Sequence, residues 1–427
     1  MTKKSRNHGD DLRGASRLAI DATKSVTDLV ESMHQTIAGG PAVLGRPLEG
    51  PVRLITGLVY GGIRGVTDLV GGGLDLAIRA LGPLLGESAP GPEREALLAV
   101  LNGVVGDHLA ESGNPLAIEM RLRSGGVALD LDRAALAAAL PGATGKLVVL
   151  IHGLCMNDLG WQRQGHDHGA ALGRDLGATP VYLHYNTGLH VSVNGRSLSA
   201  LLEDLVSAWP VPLDDLTIVA HSMGGLVTRS ACHLAEAEGR AWRAKLRSIV
   251  FLGTPHHGAP LERGGNWVET LLGVSRYSAP FSRLGKLRSA GVTDLRFGNV
   301  LDQHWQPHDR FAPAPPLDPR ADLALPAGVA CHALAGTLSR EPDGERRRVA
   351  DLIGDRLVGD GLVPVDSALG HHPDPRLALG FPADRQWIGY ATGHLDLLSR
   401  AEVYEALRGS LSGRDGAWAA GSDTTER

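Results

Sequence analysis

The sequence predicts an α/β fold, in which a mostly parallel β-sheet is covered by helices on both faces. Along residues 145–410, short apolar runs typical of buried strands alternate with amphipathic stretches of helical period. Such alternation indicates a parallel sheet, because each parallel strand returns to the sheet through a crossover helix. At 427 residues the chain exceeds one average domain, which predicts one α/β domain with an appendage.

Composition narrows the class of protein. The formal net charge is −5 and no stretch forms a basic stripe, so we expect no nucleic-acid partner. The three cysteines, Cys155, Cys232 and Cys331, are odd in number and far apart. This spacing argues against a disulfide framework and favours a reducing compartment. Residues 1–11 lead into no apolar segment or cleavage site of the secretory type, so a cytoplasmic protein is expected.

Residues 1–88 are predicted to form a helical appendage, which a Pro- and Gly-rich linker at 89–92 joins to the α/β domain at 89–427. Apolar residues recur three and four apart at 16–37, which indicates one helical face, and glycines recur four apart at 57–65. Such faces need an apolar partner. The appendage therefore predicts packing on the α/β domain, a homo-oligomer, or peripheral contact with a membrane surface.

The elements of the α/β domain follow from periodicity and turn residues. Before residue 216 the predicted elements are a helix at 93–112, hairpin strands at 118–122 and 127–131, a strand at 146–151, a helix at 166–176, a strand at 180–185 and a helix at 197–209. After residue 229 they are strands at 246–253, 329–335 and 386–390, a charged helix at 345–356, and a final helix that opens at 392–397. Residues 262–327 show no strand pattern and predict an insertion.

Residues 216–229 predict a buried strand, a sharp turn and a helix. Ser222 lies at the turn, where a strained backbone needs small residues on either side so that strand and helix can approach. Ala220, Gly224 and Gly225 meet that need. Taken alone, a serine that caps an ordinary helix fits the same residues, so the remaining motifs decide between the two interpretations.

The run Ala-His-Ser-Met-Gly-Gly at 220–225 resembles the nucleophile elbow of the α/β-hydrolases, specifically their bacterial lipase and esterase branch. Further motifs match that branch in the same order along the chain. They are His-Gly-Leu at 152–154, Gly-Thr-Pro-His-His-Gly at 253–258, Asp-Gly-Leu-Val-Pro at 360–364 and Thr-Gly-His at 392–394. The resemblance implies an α/β-hydrolase fold, a cap formed by the insertion, and catalysis without a cofactor.

The resemblance also implies a catalytic triad of Ser222, Asp360 and His394, in the chain order that the fold requires. One departure concerns the acid, because an insertion rich in charged residues separates Asp360 from the strand before it. Asp355 and Asp366 therefore remain alternatives for the acid. The base has no such competitor, since His394 matches the family in both position and neighbours.

Two backbone N–H groups are implied as the oxyanion hole. Leu154 follows the first central strand, and Met223 follows the nucleophile at the start of a helix whose dipole favours negative charge. Acyl transfer needs such donors because negative charge develops on the carbonyl oxygen, and one donor lowers the barrier by about 3 kcal/mol. His152 is expected to brace the loop rather than to act as a base.

Other polar residues near these motifs receive structural interpretations. Cys155 is expected to be an inert buried thiol, because no neighbouring histidine suits it as a nucleophile. His256 and His257 are expected to structure their loop, since the base comes last in the chain order of the family. Asp396 stands where some bacterial lipases bind a structural calcium ion, but no partner ligand is identifiable, and no metal is predicted.

The function implied by the resemblance is a serine carboxylic-ester hydrolase that cleaves apolar acyl esters of lipids or other compounds through an acyl-enzyme. Removal of a lipid anchor, or transfer of the acyl group to an alcohol, remains an alternative because the triad does not determine the acceptor. A scaffold without catalysis, assembled through the N-terminal helices, is a third hypothesis. The intact serine, aspartate and histidine argue against it.

Overall fold

The computed structural model describes residues 91–259, 289–306, 323–341 and 359–412. The predicted appendage at 1–88, the predicted helix at 345–356 and most of the predicted insertion at 262–327 lie outside these residues. The domain boundary near residue 89 and the interpretation of 262–327 as a cap therefore stay predictions. In the described part of the chain, no helix is both long enough and apolar enough to cross a membrane.

Strands and helices alternate along the described residues as the sequence predicts. The strands are β1 (Arg121–Ser124), β2 (Val127–Ala128), β3 (Lys146–Ile151), β4 (Thr179–His184), β5 (Asp215–His221), β6 (Leu246–Leu252), β7 (Ala330–Gly336) and β8 (Gln386–Gly389). The helices are α1 (Pro92–Glu111), α2 (Arg133–Ala139), α3 (His168–Leu176), α4 (Val191–Ala208), α5 (Met223–Glu238), α6 (Trp242–Lys245), α7 (Ala290–Phe297), α8 (Val365–Ala368) and α9 (Ala401–Ser412).

The strands form one sheet in the order β2-β1-β4-β3-β5-β6-β7-β8. The predicted hairpin of β1 and β2 is antiparallel, and β1 also pairs antiparallel with β4. All pairs from β4 to β8 are parallel. Because β5 lies between β3 and β6, the turn that follows β5 is at the centre of the sheet edge. The predicted α/β-hydrolase fold class is confirmed.

Both faces of the sheet are buried, which explains why its central strands are continuous apolar runs rather than alternating ones. In β3, Val149 and its alternate neighbours pack with α1, α4 and α5, whereas Val148 and Leu150 pack with α3 and α9. Burial of one such side chain stabilises the fold by about 1.5–3 kcal/mol. The central strands thus form a rigid support for the loops at their carboxyl ends.

Helix α3 shows how local residues set an element's limits. Its N-cap is Asp167, whose carboxylate accepts the N–H of Ala170 at 2.9 Å, and Gly177 ends the helix in the left-handed region with φ of 66°. The predicted helix at 166–176 differs from this by two residues. Both signals are adjacent in sequence to the helix they limit, so the sequence alone suffices here.

Two predicted helix starts are wrong. Helix α4 begins at Val191 rather than at residue 197, because the carboxylate of Asp294 accepts the N–H of Val191 at 2.8 Å. The final helix begins at Ala401, and His394 precedes it in a loop rather than opening it. This segment is not helical because its backbone N–H groups donate to acceptors outside a helix. The N–H of His394, for example, donates to the carbonyl of Asp360 at 2.9 Å.

Candidate active site

Ser222 occupies the sharp turn between β5 and α5. Its backbone has φ of 55° and ψ of −124°, a region that residues with a side chain rarely adopt. Two hydrogen bonds hold this conformation, from the N–H of Ser222 to the carbonyl of Leu252 at 2.9 Å and from the N–H of Gly225 to the carbonyl of Ser222 at 3.0 Å. The turn therefore has the strained geometry that presents a nucleophile at the edge of the sheet.

Small residues make this turn sterically feasible, as the sequence predicts. A Cβ atom added to Gly224 would lie 2.5 Å from the carbonyl oxygen of Ile151, and one added to Gly225 would lie 2.0 Å from Oγ1 of Thr254. Real Cβ atoms do not approach other atoms so closely. Helix α5 can therefore leave the sheet at this angle only because both positions are glycine.

Asp360 and His394 form a buried pair. Nδ1 of His394 lies 2.7 Å from Oδ2 of Asp360, and both side chains are almost inaccessible to solvent. The other carboxylate oxygen, Oδ1, accepts the N–H groups of Leu362 at 3.0 Å and Val363 at 2.8 Å. The carboxylate thus selects the tautomer of His394 with hydrogen on Nδ1, which leaves Nε2 able to accept a proton.

The alternative acids differ in position. The side chain of Asp366 is half-exposed and lies 3.6 Å from Nδ1 of His371, which is exposed as well. Asp355 lies outside the described residues. Of the acids that the structure describes, it is Asp360 that contacts His394.

Asp360 and His394 lie beside the end of β6, the strand whose last carbonyl accepts the N–H of Ser222. Gly253 has φ of 56°, and a Cβ atom there would lie 2.7 Å from Cδ1 of Leu397, 3.1 Å from Oδ2 of Asp360 and 3.2 Å from Nδ1 of His394, so a side chain would be strained. The ring of His221, adjacent to Ser222, lies 4.6 Å from that of His394. Within the described residues no hydrogen bond joins Ser222 to Nε2 of His394, and such bonds commonly tighten only when substrate binds.

The two predicted oxyanion donors belong to the residue after Ser222 and to the loop after β3. Leu154 is in the turn after β3, and Met223 is the first residue of α5, so its N–H has no partner within the helix. Neither N–H meets an acceptor among the residues that the structure describes. A Cβ at Gly153 would be 2.9 Å from Cβ of Ser222, so the two loops touch. Two N–H groups without an acceptor among the described residues therefore belong to segments that adjoin Ser222.

His152 is fully buried and orders the loop that carries Leu154. Its ring stacks on Tyr185 with centroids 4.5 Å apart, and its Nδ1 lies 2.9 Å from the carbonyl of Gly153. The hydroxyl of Tyr185 donates to the carbonyl of His152 at 2.9 Å. Burial lowers the pKa of His152 to about 3, so the ring stays neutral. These contacts agree with the predicted bracing role.

Cys155 and Asp396 are neighbours of the site. Burial raises the pKa of the Cys155 thiol to about 12, so the thiol stays protonated. Asp396 accepts the N–H of Gly393 at 3.0 Å, and its carboxylate thereby orders the loop that carries His394. In the ranges that the structure describes, no three His, Cys, Asp or Glu side chains are placed to hold a metal ion.

Two histidines without a predicted role contact the loop that carries His394. His221 lies against the carbonyl of His394, and His168 lies against the carbonyl of Leu397. No sequence signal identifies His168, because its contact is distant along the chain. The position of His221, directly before Ser222, is the one feature of the sequence that points to it.

Comparisons with known proteins show distant similarity. Residues 128–295 match a family described as a domain of unknown function (DUF7379). No curated protein sequence matches the chain. Among solved structures, the mature lipase BlEst2 of Bacillus licheniformis is 17% identical, with 66% of this chain and 92% of that chain covered and a TM-score of 0.37.

Two further structures show similarity of the same degree. Lipase B of Aspergillus fumigatus is 10% identical, with 68% of this chain and 55% of that chain covered and a TM-score of 0.37. Phospholipase PlaB of Legionella pneumophila is 17% identical, with 52% and 45% covered and a TM-score of 0.33. At such low similarity, a function has to be inferred from the geometry of the site.

Proposed function

We propose that this protein is a serine carboxylic-ester hydrolase that cleaves apolar acyl esters through an acyl-enzyme intermediate. One arrangement carries the proposal: the buried pair of Asp360 and His394, joined at 2.7 Å, lies beside a serine in the strained backbone of a nucleophile elbow. The N–H groups of Leu154 and Met223, which have no acceptor among the described residues, are left to form an oxyanion hole. Each part is what acyl transfer requires.

The reaction follows from these positions. Nε2 of His394 takes the hydroxyl proton of Ser222 as its oxygen attacks the ester carbonyl, and Asp360 stabilises the resulting imidazolium. The N–H groups of Leu154 and Met223 bind the oxyanion, each lowering the barrier by about 3 kcal/mol. His394 then protonates the leaving alcohol as the C–O bond breaks. Water, deprotonated by His394, attacks the acyl-enzyme and releases the acid and the free serine.

A preference for apolar substrates is supported by one surface residue. The large apolar side chains exposed in the described parts of the chain are Val127 and Leu338, and the latter is 54% exposed. The Cδ atoms of Leu338 lie 3.5 Å and 3.8 Å from the Cβ positions of Gly361 and Gly393, the glycines next to the acid and the base. Leu338 thus offers an exposed apolar surface beside the loops that carry Asp360 and His394.

Fluorophosphonate labelling followed by an ester screen tests the proposal. The full-length protein is treated with a fluorophosphonate, and peptide mass spectrometry locates the adduct, which we expect on Ser222. Hydrolysis of p-nitrophenyl esters of increasing chain length is then measured with and without an added alcohol. Turnover that rises with apolar chain length supports the proposal, whereas an ester product with the alcohol would indicate acyl transfer. A protein that is neither labelled nor active on any ester would overturn it.

A further inference from the structure

The backbone of His394 is held at both of its polar groups. Its N–H donates to the carbonyl of Asp360 at 2.9 Å, and its carbonyl accepts from Nε2 of His221 at 3.1 Å. His221 is the residue directly before Ser222 on β5. The main chain of His394 is therefore hydrogen-bonded to Asp360 through its N–H and to His221, the neighbour of Ser222, through its carbonyl.

The contact fixes the tautomer of His221. A carbonyl oxygen can only accept, so Nε2 of His221 carries the hydrogen and Nδ1 does not. Burial lowers the pKa of His221 well below its ordinary value, which keeps the ring neutral and preserves this arrangement. Its Nδ1 is buried and has no hydrogen-bond partner among the described residues. The Cβ position of Gly153 is 3.1 Å from that Nδ1.

A buried acceptor without a donor destabilises the folded state. An apolar residue of similar volume at position 221 would avoid that cost, so stability does not account for a histidine there. The one hydrogen bond that the His221 side chain makes in the described structure goes to the catalytic-base candidate. Its role is thus best explained by the placement of His394.

A second imidazole holds the same loop. Nε2 of His168 on α3 donates to the carbonyl of Leu397 at 2.9 Å, and its Nδ1 lies 2.8 Å from Nε2 of His166. The buried indole of Trp161 packs near both imidazoles, 6.3 Å from His168 and 6.5 Å from His221 between ring centroids. Two neutral imidazole donors, from two different elements, therefore hold the loop that carries His394.

We propose that His221 is a positioning residue of the triad, which orients the ring of His394 toward Ser222 by donating a hydrogen bond to the carbonyl of His394. The inference rests on the proposed function, because Ser222 and His394 are taken as nucleophile and base. His168 supports the same loop from its far end, at Leu397.

The test compares His221→Leu, which removes the donor, with His221→Gln, whose amide nitrogen can replace Nε2. Turnover of a short-chain p-nitrophenyl ester and thermal stability are measured for both. We expect His221→Leu to lower kcat by about 10²-fold, the loss that a displacement of roughly 1 Å can cause. KM and the melting temperature should stay close to those of the parent, and His221→Gln should recover most of the lost kcat.

His256→Leu is the matched control. His256 is as deeply buried as His221, neither of its ring nitrogens has a hydrogen-bond partner in the described structure, and its ring packs on those of Phe251 and Phe381. Its kcat should equal that of the parent. If His221→Leu does not fold, His168→Leu and His168→Gln give the same comparison from the other end of the loop.

A spectroscopic measurement separates this inference from the proposed function. The proton between His394 and Asp360 should give a downfield ¹H resonance in the parent, and His221→Leu should shift or broaden it. If the parent hydrolyses esters but His221→Leu matches its kcat, or His221→Gln is as impaired as His221→Leu, the positioning role is wrong. If the parent is inactive while the resonance still depends on residue 221, the proposed function fails and the positional contact stands.

Discussion

Ser222 carries backbone strain that the surrounding residues keep in place. A residue with a side chain in this region of φ and ψ costs about 1–3 kcal/mol, so it persists only where neighbouring contacts determine it. The hydrogen bond to Leu252 and the contact with Gly153 are such determinants. The strained turn thus sits against the loop after β3, whereas an ordinary helix-capping serine needs no such backbone.

Ser222→Ala should abolish fluorophosphonate labelling and lower ester turnover by several orders of magnitude, because loss of one triad member removes most of the rate enhancement. Labelling and kcat check this directly. Ser248→Ala is a suitable control, since Ser248 is a fully buried serine on the neighbouring strand β6. Undiminished turnover by Ser222→Ala would exclude Ser222 as the nucleophile.

Substitution of Asp360 tests the assignment of the acid. Asp360→Asn should lower kcat by about 10⁴-fold, because an amide no longer selects the tautomer of His394 that can accept a proton. Asp366→Asn is the control, since its half-exposed side chain lies against His371 instead. A damaging Asp366→Asn beside a mild Asp360→Asn would contradict the assignment.

Among the helices, α1 packs behind the loop that carries Leu154. The helix is kinked at Val105, with φ of −134° and ψ of 22°, and the carbonyl of Gly103 accepts from the hydroxyl of Ser289 at 2.7 Å. A Cβ atom at Gly103 would lie 2.3 Å from Sγ of Cys155, the residue after Leu154. The loop that carries Leu154, the proposed oxyanion donor, thus packs directly on the backbone of α1.

Gly103→Ala should therefore lower kcat, because the added methyl group displaces Cys155 and with it the N–H of Leu154. Full loss of one oxyanion donor costs about 10²–10³-fold, which sets the upper limit of the effect. Removing the opposing sulfur in Gly103→Ala/Cys155→Ala should restore part of the activity. Gly409→Ala on α9, where a Cβ meets open space, is the control. If Gly103→Ala had the same kcat as the parent, packing of the loop on α1 would not position the N–H of Leu154.

At the scale of the whole molecule, four buried histidines are held neutral. Burial lowers the pKa of His152 to about 3 and that of His168 to about 4, and it lowers those of His221 and His256 well below the ordinary value. In the unfolded chain each returns to about 6.5. Between these values the unfolded state binds more protons than the folded state, so stability rises with pH.

The stability contributed by these histidines should be fully present above pH 6.5 and lost progressively as pH falls toward 4. Each histidine contributes a slope of about 1.4 kcal/mol per pH unit within that window. Denaturant unfolding at pH 7.5, 6 and 5 measures the free energy of unfolding. His256→Leu should reduce the slope of the free energy of unfolding against pH by the contribution of one histidine. A free energy of unfolding that does not change from pH 7.5 to 5 would contradict the prediction.

Much of the fold is predictable from short stretches of sequence, because its signals are local. Strand and helix alternation, the cap at Asp167 and the glycines at the elbow each concern residues within a few positions of one another. The motifs at Ser222, Asp360 and His394 were identifiable for the same reason. The sequence by itself therefore determined the fold class and the candidate triad.

Tertiary structure decided the features that depend on contacts distant along the chain. The periodicity of the sequence does not show which carboxylate contacts His394 or which distant carboxylate accepts the first N–H of α4. Nor does it show which imidazoles donate to the loop that carries His394. Those contacts join residues 34, 103, 173 and 229 positions apart. They form only when the carboxyl ends of neighbouring parallel strands meet at one edge of the sheet, and that meeting is a property of the folded chain.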